Sequence, residues 1–90
     1  MKVYIAGPIT GIFEYKQRFK EAEEKVKGMG HITINPSFLP DGLSNYMGIC
    51  YAMIDQADAI YLIDGWKKSK GAKLELEHAY LMGKQVLYES

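Results

Sequence analysis

Glu75 is an acidic residue on the inward face of a helix. The run Ser69 to Gly83 reads as one helix with the apolar stripe Ala72, Leu76, Ala79 and Met82. Steps of three and four residues from Glu75 land on Ala72, Ala79 and Met82, so its carboxyl group shares that stripe. Glu77 and Lys73 fall on the outer side, as solvated charges do. A buried charge costs several kcal/mol unless it is paired. The chemistry open to such a group is that of a nucleophile or general base. A pocket carboxylate suits attack on an electrophilic sugar carbon, because negative charge stabilises an oxocarbenium-like centre. The alternative is a structural glutamate bonded to a tyrosine hydroxyl or a backbone N–H.

Other candidates lie in the loops. Gly7-Pro8-Ile9-Thr10-Gly11 follows the first strand and allows backbone to approach a ligand closely. It is neither a dinucleotide-binding fingerprint nor a P-loop, and taken alone a turn explains it. Asp64, at the end of an apolar strand, is placed to hydrogen-bond a sugar hydroxyl. Asp58, at the start of that strand, reads as a cap or surface charge. Trp66 suits stacking on a base, or packing over a sheet edge or subunit contact. Ser69 is an N-cap candidate for the Glu75 helix. His31 and His78 have no Cys or His at ligand spacing. Cys50 lies on an apolar helical stripe and reads as core. Neither a metal nor an organic cofactor is expected.

The elements that position these residues alternate regularly. Lys2 to Ala6 is a strand. A helix from about Phe13 to Lys27 carries Tyr15, Phe19, Ala22 and Val26 on one face, and Gly28-Met29-Gly30 ends it. Ile32 to Ile34 is a second strand, and the loop Ser37 to Ser44 holds the turn Pro40-Asp41-Gly42. Tyr46, Ile49, Cys50, Met53, Ile54 and Ala57 form a second helical stripe. Ala59 to Ile63 is a continuous apolar run, as in strands buried on both faces. The Asp64–Ser69 loop, the Glu75 helix and a last strand, Gln85 to Tyr88, complete the chain. This pattern predicts an α/β fold, a small Rossmann-like or flavodoxin-like three-layer sandwich with a parallel sheet of about four strands. Ligands in such folds bind at the carboxyl ends of strands near the reversal of strand order. Three loops converge there, and Glu75 is expected to point into that crevice.

Composition sets outer bounds. Ninety residues make one domain, marginal alone and helped by association. Eleven basic residues balance eleven acidic ones, so bulk charge favours neither a nucleic acid polymer nor an anionic membrane. One cysteine forms no internal disulfide, consistent with a reducing cytoplasm. No apolar run approaches the roughly 18 residues of a membrane span, and the first residues lack a signal-peptide pattern. Seven tyrosines are many for this length. Core packing is the default for each, with a pocket or an interface as the alternative. Small size, tyrosine content and Trp66 together suggest a homo-oligomer, a dimer first of all.

Tyr4 to Gly11 resembles the opening motif of the nucleoside 2-deoxyribosyltransferase-like superfamily. Ser69-Lys70-Gly71-Ala72-Lys73-Leu74-Glu75, followed by Ala79 and Gly83, resembles its second motif. The overall pattern is most similar to the short DUF4406-type branch found in phages and bacteria. Asn35-Pro36, Asp58 to Leu62 and Gly65-Trp66 extend the likeness over nearly the whole chain. The resemblance implies cleavage or transfer at the N-glycosidic bond of deoxyribonucleosides or their 5′-monophosphates. It implies Glu75 as nucleophile, and Ser69 with Gly71 on a sugar hydroxyl or phosphate. The Gly7–Gly11 loop would hold base or sugar, with Tyr4 beneath it. It also implies a dimer or larger assembly, neighbouring subunits completing sites.

The chain departs from the family pattern at particular positions. Cys50 stands where many relatives carry an aspartate that handles the leaving base. Thr10 replaces the arginine of the monophosphate-hydrolysing branch, and Glu77 replaces a glycine. The sequence is also shorter than the family's transferases, and by this reading it lacks their C-terminal extension. These departures motivate an alternative function, a non-catalytic protein that binds a nucleotide or nucleotide-derived signal in the same pocket.

Overall fold

A computed structural model describes residues 1–9 and 14–89. Strand β1, Lys2–Ala6, is buried along Val3, Tyr4, Ile5 and Ala6. It lies in a parallel sheet of order β2-β1-β3-β4, with β2 at Ile32–Ile34, β3 at Ala59–Leu62 and β4 at Gln85–Tyr88. The register pairs Tyr4 with Ile34 on one side and Ile60 on the other. Every residue of β3 is buried, as its unbroken apolar run predicts. β2 and β4 form the edges, where burial is incomplete.

Side chains alternate across the sheet, and each face has its own core. Val3, Ile5, Ala59, Tyr61 and Ile63 meet Phe19, Ala22 and Val26 of helix α1, Tyr15–Gly28. Tyr4, Ala6, Ile60 and Leu62 meet Cys50 and Ile54 of α2, Tyr46–Asp55, and Ala79 of α3, Lys70–Leu81. The result is three layers, with α1 on one face and α2 with α3 on the other. The four-stranded parallel sandwich expected from the sequence is therefore the observed architecture.

Local signals set the helix ends. The Asn45 side chain caps α2 by accepting from Gly48 N–H at 3.1 Å, and Ser69 Oγ caps α3 by accepting from Ala72 N–H at 3.2 Å. Helix α1 begins at Tyr15; Phe13, the expected start, lies outside the described residues. Met82 does not join the inward stripe of α3. The helix ends at Leu81, and Met82 is 52% exposed at the cap position, because the chain turns through Gly83 at φ +75°. Asp58, read as a cap or a surface charge, is exposed and caps no helix; its Oδ2 accepts from Lys2 N–H at 2.8 Å at the start of β1, which pulls its carboxyl below the usual range.

Gly7 is where the fold tolerates no side chain. A Cβ built there would stand 2.8 Å from Ile63 Cβ. The close approach at Gly7 is to the residue that follows β3. Gly7→Ala is expected to destabilise the protein by about 1–3 kcal/mol, read from urea unfolding midpoints. An unchanged midpoint would show that the two loops separate at no cost.

Candidate functional site

Glu75 sits in the second turn of α3, between Ala72 and Ala79 on the helix's buried face. These small neighbours let the helix lie close on the sheet. Its residual exposure is 6%, and the Tyr4 hydroxyl donates to its Oε2. Tyr4 projects from the central strand β1 with no exposed surface. The inward glutamate and the tyrosine beneath the first loop therefore form one buried pair.

The environment shifts both groups. Burial pushes the Glu75 carboxyl up to about 7, against the hydroxyl of Tyr4 and the thiol of Cys50, which favour its charged form. Burial, then the Glu75 carboxylate, drives the Tyr4 hydroxyl far above its ordinary range. Tyr4 thus stays a hydrogen-bond donor at any physiological pH. The Cys50 thiol is also pushed up, chiefly by burial. It is fully buried, as its apolar stripe suggested, yet it lies against the carboxyl.

Glu75 lines a cleft of about 660 Å³ at the carboxyl edge of the sheet. That size falls within the range of small-molecule sites. Gly7 and Ile9 supply one wall from the loop after β1. Lys68, Ser69, Lys70, Gly71 and Ala72 supply another, from the approach to α3 and its first turn. Pro40 to Leu43, with Tyr46 and Met47 at the start of α2, close the third side. A helix N-terminus, two lysines and a buried carboxyl thus meet in one cavity.

The strand order accounts for the cleft. β1 leads to α1 on one face, and β3 leads to α3 on the other. The neighbouring strands β1 and β3 therefore send their loops apart and leave a gap at their ends.

Of the residues singled out in the sequence, Gly7, Ile9, Ser69, Gly71 and Glu75 line this cleft, with Tyr4 bonded to Glu75 beneath it. Pro8 is buried on the side of Gly65 and outside the cleft lining. Thr10 and Gly11 lie outside the described residues. Asp64 and Trp66 line a different recess of about 810 Å³, with Tyr88 and Lys67. The Asp64 carbonyl accepts from Arg18 Nη2, and its N–H donates to Glu89 Oε1 at 3.0 Å. Trp66 is half-buried rather than on an exposed loop. A short 3-10 turn, Trp66–Lys68, folds its indole back to 6.1 Å from the Tyr88 ring and onto the Tyr4 side of the core. Packing over the sheet edge, the second option for this residue, describes that arrangement. Among the described residues, no group of three or more His, Cys, Asp or Glu stands ready to hold a metal.

Residues 1–88 match the family described as "Domain of unknown function (DUF4406)". The chain belongs to the DUF4406 family. No curated protein matches its sequence. Among solved structures, this DUF4406 protein is similar to the Clostridium botulinum CMP N-glycosidase BcmB, with a TM-score of 0.70 and 20% identity over 98% of this chain and 70% of that one. It is likewise similar to a 2-deoxyribosyltransferase from Bacillus psychrosaccharolyticus, with a TM-score of 0.72 and 23% identity over 98% of this chain and 71% of that one. At these identities the likeness establishes the fold. The DUF4406 chain therefore shares its fold with these two proteins.

Sequence reasoning missed Tyr46, Met47 and the Pro40–Leu43 wall of the DUF4406 cleft. Pro40-Asp41-Gly42 was visible only as a turn. Tyr46 was visible only as the first member of an apolar stripe, although its hydroxyl required a partner.

The raised Glu75 carboxyl makes stability fall with pH. Below its ordinary value of 4.5 the group is protonated both folded and unfolded. As pH rises toward about 7 the unfolded chain releases the proton first, so the folded state loses its advantage over that window. Glu75→Gln is expected to match wild type at pH 4 and to exceed it at pH 8, by on the order of 3 kcal/mol. Urea denaturation at the two values reads the difference. Equal stability at pH 8 would mean that the buried carboxylate carries no net penalty.

Proposed function

We propose that this protein cleaves or transfers at the N-glycosidic bond of a nucleoside or nucleotide, with Glu75 as the nucleophile. The observation that carries the reading is a buried carboxyl group, oriented by the Tyr4 hydroxyl, on the wall of a cleft of ligand size. Two proteins of the same fold are described as a CMP N-glycosidase and a 2-deoxyribosyltransferase, which supports the choice of substrate class.

With Oε2 held by Tyr4, Oε1 is the attacking atom. It forms a bond to the anomeric carbon as the C–N bond breaks and the electron pair leaves with the base. The product of that half-reaction is a glycosyl ester on Glu75. Water, or a second base, then attacks the same carbon and frees the carboxylate. Ser69 and Gly71, at the α3 N-terminus, contact a sugar hydroxyl or phosphate in this arrangement.

One observation favours a second reading, binding without turnover. The group beside Glu75 on α2 is a thiol, Cys50, rather than a second carboxyl. The same cleft would then hold a nucleotide, or a nucleotide-derived signal, intact.

Incubation with a panel of nucleosides and 5′-nucleotides, followed by chromatography and mass spectrometry, separates the readings. Free base or a base-exchanged nucleoside is expected with wild type. Glu75→Ala should lower the rate by at least about 10²-fold in a folded protein. Turnover undiminished in that variant would remove the nucleophile assignment. Ligand retained but recovered unchanged would favour the binding protein.

The working form is, in this proposal, a cytoplasmic homodimer. Tyr80, Leu81 and Met82 are all more than half exposed at the end of α3, and α2 carries exposed Ile49 and Ala52 on its outer side. Apolar groups so placed suit a subunit contact. Light scattering should return twice the chain mass of 10.2 kDa. A monomer mass at every concentration tested would overturn it.

A further inference from the structure

We infer that Tyr46 is the acid that protonates the departing base, an inference resting on the glycosidic reading above. Cleavage of a nucleoside needs more than a nucleophile. The electron pair of the broken C–N bond must be accepted by the base, which leaves poorly unless a proton arrives with it. Among the described residues that line the cleft or lie beneath it, few are donors suited to that step. Asp41, Lys68 and Lys70 line the cleft but are exposed. Ser69, the α3 cap, carries an aliphatic hydroxyl, a far weaker acid than a phenol. Tyr4 is sealed under Glu75, its O–H donated to the carboxylate.

Tyr46 differs from all of these. It is half-buried, it lines the cleft, and it packs on the core cluster that contains Tyr4 and Cys50. Residues 46 and 50 are one helical turn apart on α2 and share a face. The phenol and the Glu75 carboxyl therefore approach the cleft from two helices, α2 and α3, with the Cys50 thiol between them. Burial, the Cys50 thiol and then the Glu75 carboxylate keep the Tyr46 hydroxyl protonated in the resting site.

The charge changes close on themselves. As Glu75 Oε1 bonds to the anomeric carbon, its negative charge is consumed in the ester. The part of the hold on the Tyr46 proton that comes from the Glu75 carboxylate, which ranks behind burial and the Cys50 thiol, falls away in the same step. The phenol proton passes to a ring nitrogen or exocyclic oxygen of the base as the C–N electron pair moves there, leaving a phenolate. In the second half-reaction water attacks the anomeric carbon and gives its proton to that phenolate. The ester bond breaks, and Glu75 carries the negative charge again.

The test compares nucleosides with p-nitrophenyl ribosides and 2-deoxyribosides, whose phenolate leaves without a proton. Tyr46→Phe is expected to lose at least about 10²-fold in kcat on nucleosides, while hydrolysing the p-nitrophenyl glycosides at the wild-type rate. Glu75→Ala should lose both activities. Equal losses on the two substrates in Tyr46→Phe, or no loss on either, would overturn the assignment. So would a wild type that cleaves only p-nitrophenyl glycosides, which leaves the Glu75 chemistry standing. A wild type inert to every substrate would instead remove the glycosidic reading itself. If Tyr46→Phe does not fold, the wild type alone decides. A solvent deuterium isotope effect on nucleoside cleavage, absent with the p-nitrophenyl compounds, supports an acid, and its absence from both overturns it.

Discussion

The hydrogen bond from Tyr4 to Glu75 is the constraint on which the site depends. It joins the central strand to the last helix, so α3 must lie close over the sheet. Ala72 and Ala79 make that approach possible, because larger side chains on the same face would hold the helix away. The carboxyl is then withdrawn from water, and burial raises its affinity for a proton. Tyr4 opposes that shift and fixes the direction in which the carboxyl points. The proton affinity of the carboxyl and its placement thus both answer to one contact.

The sheet provides the space around that pair. A parallel sheet of order β2-β1-β3-β4 sends the loops after β1 and β3 to opposite faces. The gap is roofed on its third side by the segment between β2 and α2, which brings Pro40 to Leu43 and Tyr46 into the cleft. The loop after β3 has a different fate. Arg18 and Glu89 clamp Asp64, and Trp66 turns back onto the sheet edge. One loop therefore divides its residues between two recesses, Lys68 lining both.

The layers and the inward glutamate were legible in the sequence for a physical reason. Strand and helix periodicities report which face a residue occupies, and β3 and the Ala72–Glu75–Ala79 face carry clear patterns. Ser69 was legible as a cap because capping is local. Loop closure is not local. Nothing in Asp64-Gly65-Trp66 says that a 3-10 turn will carry the indole away from the Glu75 cleft. Nor does Pro40-Asp41-Gly42 say which wall it builds. Met82 shows the same limit at a helix end, where one residue past the last turn leaves the periodic face.

Tyr4 and Glu75 are 71 residues apart in the chain, the largest separation among the side-chain hydrogen bonds described. Contacts that close long loops carry the greater entropic cost and tend to form late in folding. Between the two residues lie α1, β2, α2 and β3, so the pair closes across most of the topology. Partly folded chains that already hold β1, α1 and β2 contain only half of it. The pairing of hydroxyl and carboxyl is in this sense a property of the finished topology: it does not exist until almost all of the chain has been assembled.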